Sequence, residues 1–536
     1  MPRFDPKQGQ YRRQPTGSQQ PTNAGRYVGS NMMQRPNYDY TDVGPKRMPA
    51  QSLKVNAINV DNSDSSTIFH SGQKMSNQKE LLTEDAITFL CNHYEITKDV
   101  RQVLSSRFQN DLTKVDKEEI YLESYNNIIE IIEDAGLLPV AELKNDYVQI
   151  LIADIVGYGV LESLLNDPSV TEIMVVQHDR IFAERNGKLS LTDIRFPSVE
   201  NALGIVKRIV EPLGKRIDTM SPNVDAQMKD GSRLSASIAP LRLDDEISIT
   251  IRKFSDKVYP LEHYVEKYAS ETFEMANFLE SCVKAKQSII VSGGTGSGKT
   301  TLLNSVSFAI PDDERILTIE DTPELKLQQP NLERYQTVEA NQEGKGGVTI
   351  QEVMVDTLRK RPDRIIVGEC RGGEIVEMIN AMNTGHEGSM STVHANTPED
   401  MIQRCVTMVR SNPASSTLDE RTIHEMLNSA LDLIVQTTRL DDGSRRIVNI
   451  AEVVGVGTVG VAKLQKKGIK VVGDPDPNRL YLQDVFRFIQ TSIDESGKVH
   501  GYFEATGYIP YCNDKLRVKG IGYPDNFFKK RILQEV

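Results

Sequence analysis

The sequence predicts an α/β fold, with a mostly parallel sheet in a larger module and a smaller α/β module ahead of it. Three observations predict this. Beyond about Tyr259, short and continuously apolar strands alternate with helix-length segments, as when both faces of a sheet are covered. A glycine-rich loop joins one of those strands directly to a helix. Ahead of it, short strands and one amphipathic helix crowd into roughly 110 residues. At 536 residues the chain also exceeds the size, roughly 250–300 residues, at which one hydrophobic core stops growing, so several domains are expected.

Taken in order, residues 1–76 form a low-complexity leader rich in Gln, Asn, Ser, Pro and Gly, with too few aliphatic groups to offset chain entropy. Its first 50 residues hold no Leu or Ile, which excludes the apolar core of a secretory signal. They carry eight Lys/Arg against three Asp/Glu, a basic excess that suits either a solvated tail or contact with membrane lipid or an acidic partner. Residues 77–142 turn helical: Ile128-Ile129 and Ile131-Ile132 fall at three- and four-residue spacings.

Residues 143–255 are expected to form an α/β domain, with strands at Glu172–Val176, Arg180–Glu184 and Leu189–Leu191. A helix follows over Val199–Leu213, then strands near Ser232–Ala239 and Ile247–Arg252. Residues 256–536 are expected to form the larger domain with a C-terminal extension. Its strands are Ser288–Ser292, Arg315–Ile319 and Arg364–Gly368, and Thr417–Leu440 with the segments beyond it reads as helix and edge strand. The last 80 residues read as an appended α+β tail.

Composition narrows the function classes. The net charge is −12, and removing the basic first 50 residues leaves about −17, with no Trp anywhere. A nucleic-acid motor needs a basic stripe and stacking aromatics, so nucleic acid is disfavoured as a partner. The longest uncharged apolar run, Val453–Ala462, is far short of a membrane span. Five scattered cysteines without a C-x-x-C pair argue against a disulfide framework or a zinc site. A soluble, cytoplasmic, multidomain protein is the expectation.

The residues that carry chemistry begin with Gly293-Gly294-Thr295-Gly296-Ser297-Gly298-Lys299-Thr300, followed by Thr301. This G-x-x-x-x-G-K-[ST] string lies between a strand and a helix. Glycines let backbone N–H groups surround a polyphosphate, Lys299 would neutralise its β- and γ-phosphates, and the Thr300 hydroxyl would ligate Mg²⁺. Glu320-Asp321 and Glu369 end two later strands, where the ligand of a parallel sheet sits. Such carboxylates can hold a metal ion or orient an attacking water, or simply cap a turn. His386-Glu387 lacks the second histidine of a metalloprotease helix, so His394 reads either as a γ-phosphate sensor or as a structural histidine.

Together, four ordered strings carry a resemblance. They are the glycine-rich loop, Ile319-Glu320-Asp321-Thr322-Pro323-Glu324-Leu325, Leu358–Glu369, and Thr384-Gly385-His386-Glu387-Gly388 through His394-Ala395-Asn396. The chain resembles the type II/IV secretion ATPases over about residues 140–510, and most resembles the branch that drives assembly of Tad (Flp) pili. The resemblance implies a RecA-like P-loop ATPase domain, ATP and Mg²⁺ as cofactors, and a homo-hexamer on the cytoplasmic face of the cell membrane. Its implied partners are inner-membrane platform proteins. It implies that Glu369 activates water, that Glu320 is the alternative base or a metal partner, and that His394 contacts the γ-phosphate. Arg233 and Arg252 are implied to reach the phosphates from the smaller domain, although Arg233 also reads as a strand-edge residue after an Asp-Gly turn. The alternatives are a conjugation-like type IV secretion ATPase, a nucleic-acid translocase, or a scaffold that binds ATP without turnover.

Overall fold

The computed structural model describes residues 82–108, 117–137, 141–185, 187–254, 258–338 and 345–536. The leader, residues 1–76, lies outside them. All described residues belong to one compact unit, Met75–Val536.

Three helices open the described chain: Glu84–Asn92, Ile96–Arg107 and Lys117–Asp134. Thr83 caps the first by accepting the N–H of Ala86, and Glu84 and Asp85 place negative charge at its positive end. The apolar stripe of these helices, including Leu90, Val100, Ile128 and Ile132, shares one core with helix Lys144–Val156 and the first sheet. Helices Lys144–Val156 and Gly159–Asn166 are together apolar enough to be compared with a membrane span, but they bend by 115°. Ile150 and Leu151 on the first of them are fully buried in that core. No single helix among the described residues is long and apolar enough to cross a membrane.

The first sheet has six strands: β1 (Val170–Gln177), β2 (Arg180–Arg185), β3 (Lys188–Leu191), β4 (Asn223–Gln227), β5 (Arg233–Ser237) and β6 (Ser248–Arg252). Their order is β3-β2-β1-β6-β5-β4, and every neighbouring pair is antiparallel. Helix Val199–Val210, capped by Ser198, covers the buried face with Ala202, Ile205 and Val206. β4 escapes the sequence reading because it offers only Val224 and Ala226 to the core, between Asn and Asp residues that disfavour strands.

The second sheet has ten strands. β7 (Ile289–Gly293), β8 (Ile316–Glu320), β9 (Leu332–Gln336), β10 (Arg364–Val367), β11 (Met390–His394) and β12 (Leu433–Arg439) are parallel, in the order β12-β7-β11-β10-β8-β9. β7, β8 and β10 are buried along their whole length, so alternation is absent from their sequences. β13 (Arg445–Val456), β14 (Leu480–Ile493), β15 (Val499–Ala505) and β16 (Arg531–Glu535) extend the sheet antiparallel from β12.

Two expectations are corrected here. β12 is an interior strand between β7 and β13, not an edge strand. The last 80 residues are no appendage: Phe486, Phe503, Tyr508 and Phe528 join the core that also holds Leu303 and Val291. Glu452 ties this region together, accepting from the Tyr508 hydroxyl (2.5 Å) and the N–H groups of Tyr511 (2.9 Å) and Cys512 (2.6 Å).

Candidate functional site between the two sheets

Parallel strands deliver their C-terminal residues to one edge. His394 on β11 and Thr437 on β12 both stand in register with Gly293, the last residue of β7. Gly296 and Gly298 have φ of 70° and 94°, which a residue with a Cβ adopts only under strain. The loop is braced from inside, where the Ser297 hydroxyl donates to the carbonyl of Gly294 (2.9 Å) and meets the Thr437 hydroxyl at 3.0 Å. Helix Lys299–Ser307 begins directly after it.

Lys299 is 7% exposed. Its ammonium donates to the carbonyls of Gly293 (3.1 Å) and Gly294 (3.0 Å) and stands 3.2 Å from His394 Nε2. Burial foremost, with Glu369 opposing and Arg252 adding, lowers its pKa to about 8. His394 is held below the ordinary imidazole range by burial and by Lys299. It is therefore neutral near pH 7 and can accept a hydrogen bond from the lysine.

Two residues beyond the end of β10, Glu369 places Oε1 3.0 Å from His394 Nε2 and Oε2 2.7 Å from Arg371 Nη2. Angular alignment leaves Oε1 without a hydrogen-bond donor although it is buried. Arg371 Nη1 also faces Asp321, at 3.8 Å. Glu320 behaves differently. Its Oε1 accepts the backbone N–H groups of Glu324 (2.7 Å) and Leu325 (2.8 Å), so one oxygen is occupied in shaping the loop after β8. Its Oε2 lies 3.8 Å from Arg334. Burial raises its pKa, against those backbone hydrogen bonds.

The first sheet closes the other side. Arg233 on β5 and Arg252 on β6 stand directly opposite one another. Arg233 Nη2 reaches Glu324 of the second sheet at 2.9 Å, and its Nε is buried without a partner. Arg252 is exposed toward the gap. A cavity of about 970 Å³ lies between the sheets, lined by Arg233, Arg252, Thr295–Leu302, Glu320, Glu369 and His394 among others. That volume is at the upper end of small-molecule sites.

Every site residue expected from the sequence thus lies on or beside this cavity; Gly293 and Gly294 form the loop's floor. Sequence reasoning missed three contributors. Arg371 grips Glu369. Arg445 donates from Nε to the Gly296 carbonyl (2.8 Å). Glu184 of β2 meets Arg439 (3.2 Å) and Arg445 (3.7 Å) from the hairpin between β12 and β13. Gly187 makes that approach possible, since a Cβ there would stand 3.0 Å from the Gly443 carbonyl. Arg371 had a local signal, two residues after a strand-ending acid; the others pair across more than 140 residues and had none. Cys370, next to Glu369, is buried and its thiol is pushed up by burial, which suits packing rather than reactivity.

The fold and the strand-end site define an α/β protein of RecA-like type. The chain belongs to the type II/IV secretion system protein family, whose profile matches residues 154–471. It is similar to a Mycobacterium tuberculosis protein named for conjugal transfer, 33% identical over 309 residues that make up 56% of this chain and 86% of that one. It is also similar to the type IV secretion system protein VirB11 of Bartonella quintana, 30% identical over 334 residues, 56% of this chain and 92% of that one. Among solved structures, the VirB11 ATPase of the Brucella suis type IV secretion system matches at 29% identity and a TM-score of 0.30, over 54% of this chain and 94% of that one. The Legionella pneumophila ATPase DotB matches at 24% identity and a TM-score of 0.41, over 57% and 82%.

Proposed function

We propose that this chain is an ATP-hydrolysing motor that drives a membrane-bound secretion or pilus machine. The observation that carries the reading is the meeting of Lys299, Glu369 and His394 with Arg233 and Arg252 of the other sheet around one cavity. The donor set fits Mg²⁺-ATP: backbone N–H groups and cations for phosphates, and hard oxygens from Thr300 and Glu320 Oε2 for the ion. Bound Mg²⁺ supplies charge neutralisation at the transferred phosphoryl group.

Lys299 would exchange its loop carbonyls for phosphate oxygens. Glu369, steadied by Arg371, would orient and deprotonate the attacking water, while neutral His394 reports the γ-phosphate to both. Glu320 is the weaker candidate base because backbone N–H groups hold its Oε1. Arg233 and Arg252 would neutralise developing charge from the opposite wall, which couples hydrolysis to the relative position of the sheets. In this reading the motor is a homo-hexamer on the cytoplasmic face of the cell membrane and works on platform proteins.

The names of the relatives favour a conjugation-like type IV machine. The motif resemblance favours Tad/Flp pilus assembly. Deleting the gene separates them: one reading expects loss of macromolecular transfer between cells, the other loss of surface pili. For the motor itself, Glu369→Gln should bind ATP and lose turnover by about 10²–10⁴. Normal steady-state Mg²⁺-ATP hydrolysis in that variant would pass the role to Glu320.

A further inference from the structure

The hydrolysis chemistry leaves Glu324, the last acid of Ile319–Leu325, without a role. It lies on the cavity wall, in the loop that follows β8. Its backbone is fixed on both sides. The N–H donates to Glu320 Oε1 (2.7 Å), and the carbonyl accepts from Asn304 Nδ2 (3.1 Å). Asn304 Oδ1 also accepts the N–H of Lys326 (2.7 Å), and Asn304 belongs to the helix that begins at Lys299. The Glu324 carboxylate therefore hangs from a backbone clamped to the phosphate end of the ten-stranded sheet.

A carboxylate there works against a phosphate site. Burial lowers the pKa of Lys299, and the charges of Glu369 and Glu324 oppose it. Glu324 thus acts on the same ammonium that phosphates would meet, and a triphosphate would bring more negative charge to that point. The other wall compensates it: Glu324 Oε1 meets Arg233 Nη2 of β5 at 2.9 Å. For the arginine this pairing is incomplete. Its Nε is buried without a partner. The two side chains are 35% and 28% exposed, so solvent weakens their attraction. Phosphate oxygens can satisfy Nη2 and Nε together, which this single carboxylate contact does not.

We propose that Glu324 is a positioning residue that holds Arg233 off the phosphates in the empty site and competes with nucleotide for it. Binding of ATP takes Arg233 from Glu324, and departure of the product returns it. The exchange also ties the walls together when the site is empty, since the acid belongs to one sheet and the arginine to the other. This role rests on the nucleotide reading above and adds the residue that limits affinity for substrate and product alike.

The test is equilibrium titration of the full chain with the ribose-labelled fluorescent analogues mant-ATP and mant-ADP. Glu324→Gln, nearly isosteric, removes the charge and is expected to tighten both about tenfold. Glu324→Asp keeps the charge but draws it back by one methylene from Arg233. It should tighten both about threefold, the scale of an ion pair about a third exposed. An acid that bound Mg²⁺, or one that only shaped its loop, would give weaker or unchanged binding when replaced. Either result in Glu324→Gln would overturn the assignment while leaving the motor intact. Tightening in Glu324→Gln without tightening in Glu324→Asp would overturn it too, because repulsion of the phosphates would then suffice without Arg233. Wild-type protein that binds neither analogue would remove the nucleotide reading itself, and this role with it.

Discussion

The two sheets contribute opposite things to one cavity. The ten-stranded sheet brings the glycine loop, Lys299 and the acids Glu320, Glu369 and Asp321, all at the C-terminal ends of parallel strands. The six-stranded antiparallel sheet brings the cations Arg233 and Arg252 and holds them face to face on paired strands. Like charges opposite one another across strands disfavour the sheet, and Glu324 pairs with Arg233. The lesson is that one sheet organises a reaction centre and the other a counter-charge; the site is complete only where they meet.

The sharpest way to break that comparison is to remove the counter-charge. Arg252→Ala is expected to lower the rate of ATP turnover by about 10³ or more while ATP still binds through the loop. A rate within tenfold of wild type would make the first sheet a passive cover.

A smaller effect sharpens the role of the other wall. Lys299 titrates at about 8 because it is buried. Phosphate oxygens would hold it protonated to higher pH, so binding takes up a proton above pH 8 and none below. ATP affinity, followed by calorimetry, is then expected to be flat below about pH 7.5 and to fall by up to about tenfold per pH unit above 8. Affinity that rises above pH 8 would show that the lysine does not meet the phosphates.

The smallest effect concerns the contact between walls away from the chemistry. Arg439 and Arg445 are about a third exposed where they meet Glu184. Glu184 itself is buried, so Glu184→Gln should cost about 1–3 kcal/mol in urea unfolding, as when a hydrogen bond to a charged group is weakened. A loss above about 3 kcal/mol would mark the contact as part of the core rather than a surface clasp.

Much of this organisation was legible in the sequence, for definite reasons. The loop from Gly293 to Thr300 is contiguous, so its chemistry is written in eight residues. Glu369 follows a strand whose apolar run announces it, His394 ends the more polar strand Met390–His394, and parallel pairing puts both on the Gly293 edge. What failed was long-range. Nothing local in Leu433–Arg439 tells an interior strand from an edge strand; β13 decides it from across a hairpin. Phe486, Phe503 and Phe528 read as a tail until β14 and β15 carry the first two into the same sheet and all three share its core. Glu320 read as the alternative to Glu369, and only the backbone N–H groups of Glu324 and Leu325 show that half of it is occupied.

The most direct measurement of the central claim is a structure of the Glu369→Gln chain with Mg²⁺-ATP. The account predicts the phosphates against Gly294–Thr300, with Lys299 turned from its loop carbonyls and Arg233 or Arg252 within about 3.2 Å of a phosphate oxygen. Nucleotide held by the ten-stranded sheet alone, with neither arginine near a phosphate oxygen, would contradict it.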